Sequence, residues 1–136
     1  MRDRKHYSAA NFLNAKAATG ASSVISCSDF RNAVIAVFAP ANSTFTIKFA
    51  GSIGDSAFDA TAAQSTTNVY DFVEVIDLQD GSAIDGDTGV TIDNTTAAVN
   101  CRLFEVNTNS LDYVAILVTA WTDGSASASI TLTDNA

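Results

Sequence analysis

The stretch Thr44 to Ala50 constrains this chain more than any other. Phe45, Ile47 and Phe49 fall on one parity, and Thr44, Thr46 and Lys48 on the other. Successive side chains of a strand point to opposite faces, so this run sends its apolar groups to a core and its polar groups outward. The same period returns near the end of the chain. There Ala128, Ile130 and Leu132 alternate with Ser127, Ser129 and Thr131. Apolar, β-branched runs at 22–27, 32–39, 69–76, 90–92, 101–106 and 112–121 bring the total to about eight strands. Gly, Asp, Asn and Ser clusters separate them, and no long amphipathic helix lies between. The pattern predicts an all-β chain: an antiparallel β-sandwich, jelly-roll-like, with about eight strands. An immunoglobulin domain is disfavoured because Trp121 follows Cys101 rather than lying between Cys27 and Cys101.

With 136 residues there is room for one core. Residues 1–20 lack strand alternation and read as an extended or partly helical N-terminal arm. Ala9, Phe12, Leu13 and Lys16 carry a helical spacing that Gly20 would close. Residues 21–136 form the single sandwich domain. Charge divides at the same place. The first twenty residues hold Arg2, Arg4, Lys5 and Lys16 against Asp3, a net of +3, and the remaining chain carries −11 of the total −8. An acidic body repels nucleic acid, whose binding rests on phosphate neutralisation. No apolar run is long enough to span a bilayer, and no signal core follows the charged start. The expectation is a protein made in a cytoplasm, with neither nucleic acid nor membrane as partner.

Individual segments carry sharper expectations. Residues 32–39 are apolar on both parities, which predicts a strand covered on both faces. The long connection 51–68 is expected to hold one helical turn near Phe58 to Gln64, anchored by Phe58. Residues 69–76 read as one strand. Asp112 to Trp121 and Ser125 to Thr133 read as a hairpin closed by Asp123-Gly124. Both cysteines sit in apolar runs and are expected to be free core thiols.

Catalytic chemistry finds little to work with. His6 is the sole histidine and lies in the arm, away from any rigid nucleophile. Glu74 and Glu105 interrupt apolar strands, but a glycosidase pair would also need a cleft of sugar-stacking rings. Of the large candidates Tyr7, Tyr70, Tyr113 and Trp121, the last three fall in strands that read as buried. Asp77, Asp80, Asp85 and Asp87 invite calcium, yet their spacing misses the EF-hand pattern, and Asp is also the residue that caps turns. The glycines never form a phosphate-binding spacing. The sequence therefore predicts no catalytic, cofactor or metal residues, and a protein that is not an enzyme. Outward Thr, Ser and Ala lose little rotamer entropy when covered, which suits adhesion.

The run Phe72-Val73-Glu74-Val75-Ile76-Asp77-Leu78-Gln79-Asp80-Gly81, continuing through Asp85-Gly86-Asp87-Thr88-Gly89, resembles a segment of small virion proteins of tailed bacteriophages. Val24 to Arg31 and Phe104 to Asn107 resemble the same group, so the likeness spans most of residues 22–121. Within that group, the size and β-rich pattern resemble a capsid decoration, or cement, protein. The resemblance implies a homotrimer on the outer surface of the head, bridging major capsid subunits. Arg2, Arg4, Lys5, Phe12 and Leu13 are then the candidate contacts of an arm reaching a neighbouring subunit. The alternatives are another virion part (tail-tube, head-completion or fibre-associated) or a carbohydrate-binding adhesin module.

Overall fold

The computed structural model describes residues 6–134. Among them there is no helix, and twelve strands form two sheets in which every pairing is antiparallel. In chain order these are β1 (His6–Lys16), β2 (Gly20–Ala21), β3 (Ile25–Ser26), β4 (Asn32–Pro40), β5 (Ser43–Ser52) and β6 (Asp71–Phe72). They continue as β7 (Val75–Asp77), β8 (Ala83–Ile84), β9 (Val90–Asn94), β10 (Val99–Asn107), β11 (Tyr113–Asp123) and β12 (Ala126–Thr133). The first sheet runs β1-β12-β4-β10-β7-β8. The second runs β2-β11-β5-β6, with β3 also on β11 and β9 also on β5. The expected antiparallel sandwich is what forms.

Alternation places the core. On β5, Phe45, Ile47 and Phe49 are buried while Thr44, Thr46 and Lys48 point outward. On β12, Ala128, Ile130 and Leu132 face in. The two inner faces meet at Phe49 and Phe104, whose ring centroids lie 5.4 Å apart.

Several local expectations are corrected. The arm is, over its described part, the edge strand β1, paired to β12 from His6↔Thr133 to Lys16↔Ala126. Residues 69–76 are not one strand. β6 pairs with β5 in the second sheet, the chain crosses at Val73-Glu74, and β7 pairs with β10 in the first. The C-terminal hairpin is absent, because β11 pairs with β5 and β12 pairs with β4 and β1. The Asp123-Gly124 turn therefore carries the chain from one sheet to the other. Ala41-Asn42 does the same between β4 and β5, with Asn42 at φ 62°. The two arches touch, and the Ser43 hydroxyl accepts the Ser125 amide proton at 3.1 Å.

Residues 53–70 hold turns rather than a helical turn, and Phe58 does anchor them. Its ring stacks on Tyr70 at 4.8 Å, and the Tyr70 hydroxyl donates to the Ala62 carbonyl at 2.9 Å. The Asn68 side chain staples the loop, accepting from the Asp59 amide at 2.8 Å and donating to the Asp59 carbonyl at 2.9 Å.

Of the two thiols only Cys27 is buried, while Cys101 lies exposed on the outward parity of β10. Burial, with Asp112 nearby, pushes the Cys27 thiol from 9.0 up to about 11. Below pH 9 the thiol is protonated whether the chain is folded or unfolded. Between pH 9 and about 11 only the unfolded chain releases the proton, so stability falls as pH rises. The expected loss is of order 2 kcal/mol. Denaturant titrations of wild type and Cys27→Ala across this window check it, since the variant should lack that part of the alkaline slope.

Candidate functional site

The sequence-predicted arm contacts are not brought together as a binding surface. Arg2, Arg4 and Lys5 lie outside the described residues. Phe12 and Leu13, at 2% and 5% exposure, are corrected from partner contacts to core residues. Apolar side chains on a strand already hydrogen-bonded to β12 lower the free energy most by packing between the sheets.

The aspartate-rich loop serves as turn chemistry. Asp77 forms an ion pair with Arg102 and accepts the Gln79 amide proton at 2.9 Å. Asp80 accepts from the Ser82 amide and hydroxyl at 3.0 and 2.7 Å, and the hydroxyl bond first holds its carboxyl below the usual range. Asp85 accepts from the amides of Asp87 and Thr88 at 3.1 and 3.2 Å. Among the described residues, no group of three or more His, Cys, Asp or Glu is placed to share a metal ion.

Glu105 and Glu74 are not paired across a cleft. Glu74 is exposed on the crossover between β6 and β7. Glu105 lines an open recess of about 540 Å³ with Arg31, Asn32, Asn107 and Asn109, and the Asn32 amide donates to it at 3.4 Å. This is a hydrogen-bonding recess without a ring in its lining. Trp121 is corrected from buried to 38% exposed, with its indole N–H donating to the Gly124 carbonyl at 3.0 Å. Tyr7 is exposed too, but it pairs with Leu132 near the end of β12, whereas Trp121 pairs with Phe45 near the start of β5. The two rings therefore sit at opposite ends of the sandwich.

Surface apolarity concentrates elsewhere. The outer face of the second sheet is apolar where Ala50 and Ala115 meet Phe58 and Tyr70, and the chain's own 53–70 loop covers it. The outer face of the first sheet has no such cover from the described chain. There Phe38 sits opposite Cys101, Ala36 opposite Leu103, and Val34 opposite Glu105. Leu103 is 44% exposed and Val99 60%. Leu78, whose amide donates to the Leu103 carbonyl at 3.0 Å, extends the patch past the end of β7. Antiparallel sheets ordinarily present polar side chains on a solvated face, and this face departs from that pattern. The apolar run on both parities of residues 32–39 was the sequence signal for it.

A second apolar feature lies at the Ser52 end of β5. It is a recess of about 520 Å³ lined by Gly51, Ser52, Ile53, Val69, Val73 and Leu111. The Ser52 hydroxyl is buried there without a hydrogen-bond partner.

The fold and its surface thus define an antiparallel two-sheet sandwich with one self-covered and one open apolar outer face. Two solved structures share this fold. The SPBc2 prophage-derived protein YomS superposes with a TM-score of 0.68 at 13% identity, over 98% of this chain and 96% of that one. The PBSX exported protein XepA superposes with a TM-score of 0.69 at 10% identity, over 98% of this chain and 39% of that one. This chain therefore corresponds to well under half of XepA. No protein-family model and no curated protein sequence matches the chain.

Proposed function

We propose that this chain is a non-catalytic structural component of a tailed-phage particle, a decoration or cement protein that bridges major capsid subunits on the outer surface of the head. The observation that carries the reading is the near end-to-end likeness to a prophage-derived protein, joined to an apolar sheet face that the chain leaves open. Such a protein acts by covering surface. Many modest contacts, repeated by symmetry, sum through avidity. The recess beside Ser52 supplies a seat for an apolar side chain of the capsid partner. The acidic sandwich suits a position away from packaged DNA.

Copy number in purified particles tests this. A decoration protein is present once for every one or few capsid subunits. A tail-tube, head-completion or fibre-associated protein is present in far fewer copies, and that count would move the chain to one of those places. Absence from intact particles, judged by quantitative mass spectrometry, would end the virion reading. The adhesin alternative is weaker, because the exposed rings Tyr7 and Trp121 do not share a groove and the Glu105 recess has no stacking ring.

A further inference from the structure

We propose that the polar recess at the Asn32 end of the first sheet is a binding site for a neutral saccharide, held through adjacent hydroxyls. This ligand is additional to the capsid partner, and the site does not depend on where in a particle the chain sits.

The recess holds about 540 Å³ and is lined by Arg31, Asn32, Glu105, Asn107 and Asn109, with no apolar side chain among the described residues. Asn32 stands opposite Asn107 in the β4–β10 ladder, and Glu105 opposite Val34. Most of the hydrogen-bonding capacity of these groups is open to a ligand. Glu105 accepts one long bond, from Asn32 at 3.4 Å. The Asn107 side-chain oxygen accepts the Asn109 amide proton at 3.0 Å, which leaves the Asn107 NH₂ group to donate. The Arg31 guanidinium and the Asn109 carboxamide have no partner among the described residues. Guanidinium, carboxylate and carboxamide are planar groups that reach two neighbouring ligand atoms at once. Together they offer donors and acceptors side by side, which is what a pair of hydroxyls, each donor and acceptor, takes up.

Charge and topology narrow the class. One guanidinium and one carboxylate cancel, so the lining favours no net charge on its ligand. An anion would meet Glu105 and a chain of net −8. An apolar ligand would bury these groups unpaired. A peptide adding as a strand needs a free sheet edge, whereas β4 and β10 are both interior strands with neighbours on either side.

The walls are fixed before any ligand arrives. Thr108, fully buried, donates its amide proton to the Arg31 carbonyl at 3.1 Å and its hydroxyl proton to the Phe30 carbonyl at 3.2 Å. The Arg31 amide in turn donates to the Thr133 carbonyl at 2.9 Å. The 107–109 turn, the entry to β4 and the end of β12 are thereby tied together, so little ordering is left for the ligand to impose. With no ring to stack on a sugar, a single site binds weakly and does not by itself make the chain an adhesin. Repeated over many copies, weak sites sum through avidity.

The test is a titration of the isotope-labelled full chain with glucose, galactose, mannose and N-acetylglucosamine, read from backbone and side-chain amide chemical shifts. At least one sugar is expected to bind saturably with a millimolar Kd, its shifts centred on the five lining residues. Glycine, a zwitterion, and inorganic phosphate are expected to leave those signals in place at the same concentrations. Asn109→Ala removes a side chain without a partner in the described fold, so the rest of the spectrum should hold. It is expected to weaken the sugar at least about fivefold, the loss of one hydrogen bond, and Glu105→Gln likewise. Thr122→Ala, on the exposed end of β11, should bind as wild type does. No saturable shift with any of these sugars would overturn the proposal. So would glycine or phosphate binding in their place, or Asn109→Ala and Glu105→Gln binding sugar as tightly as wild type.

Discussion

Phe12→Ala is expected to lower the unfolding free energy by about 3–5 kcal/mol, a large part of what a domain of this size has to lose. Phe12 is 2% exposed and packs in the main core, yet it belongs to an edge strand held by one neighbour, β12. Removing its ring leaves a cavity between the sheets that an already paired strand cannot collapse to fill. Tyr7→Ala, on the same strand but 47% exposed, is expected to cost within about 1 kcal/mol. Urea denaturation of the three proteins decides the matter. If the Phe12 variant unfolded at the wild-type midpoint, β1 would be an appendage and the arm reading of residues 1–20 would return.

The reason β1 was not legible lies in its irregularity. Its register with β12 shifts between Ala9 and Leu13 and again between Leu13 and Lys16, and Ala15 sits at φ 46°. A bulge puts consecutive residues on one side, so Phe12 and Leu13 are both buried and the period of two disappears. Their spacing with Ala9 and Lys16 then imitates a helix. Regular strands were transparent for the opposite reason. β5 and β12 keep strict alternation because each has one face on the core and one face outward.

The candidate surface was half legible. Apolarity on both parities of residues 32–39 predicts a strand covered on both faces, but among the described residues only the face of Ala33, Ile35, Val37 and Ala39 is buried, and Val34, Ala36 and Phe38 remain partly exposed. Residue pattern alone could not place Leu103, Cys101 and Val99 beside that strand, since the β4–β10 pairing spans residues some seventy positions apart. Sheet membership was hidden as well. Phe72 and Val75 look like neighbours on one strand, but two residues of crossover separate the sheets they join. Periodicity reports which way a side chain points and is silent on which neighbour its backbone bonds.

Gly124 gives that silence a measurable consequence. A turn Asp-Gly between two alternating strands signals a hairpin, and a hairpin tip lies in solvent. Here the same dipeptide bridges two sheets, and Gly124, at φ +74°, lies against the Ser43 backbone and side chain of the neighbouring arch. Gly81 has nearly the same angle, +76°, with nothing within 4 Å of where a Cβ would stand. Alanine at either position bears the same left-handed backbone strain, of order 1 kcal/mol. At Gly124 the methyl also overlaps Ser43, which is fully buried and accepts the Ser125 amide proton, so the arches must separate and that hydrogen bond weakens. Gly124→Ala is therefore expected to cost about 2–4 kcal/mol, and Gly81→Ala about 1 kcal/mol. The difference between the two, read from paired denaturant titrations, isolates the packing of one arch on the other. Equal losses would mean that residue 124 sits free in solvent, as a hairpin tip does, and that β11 and β12 are not divided between sheets.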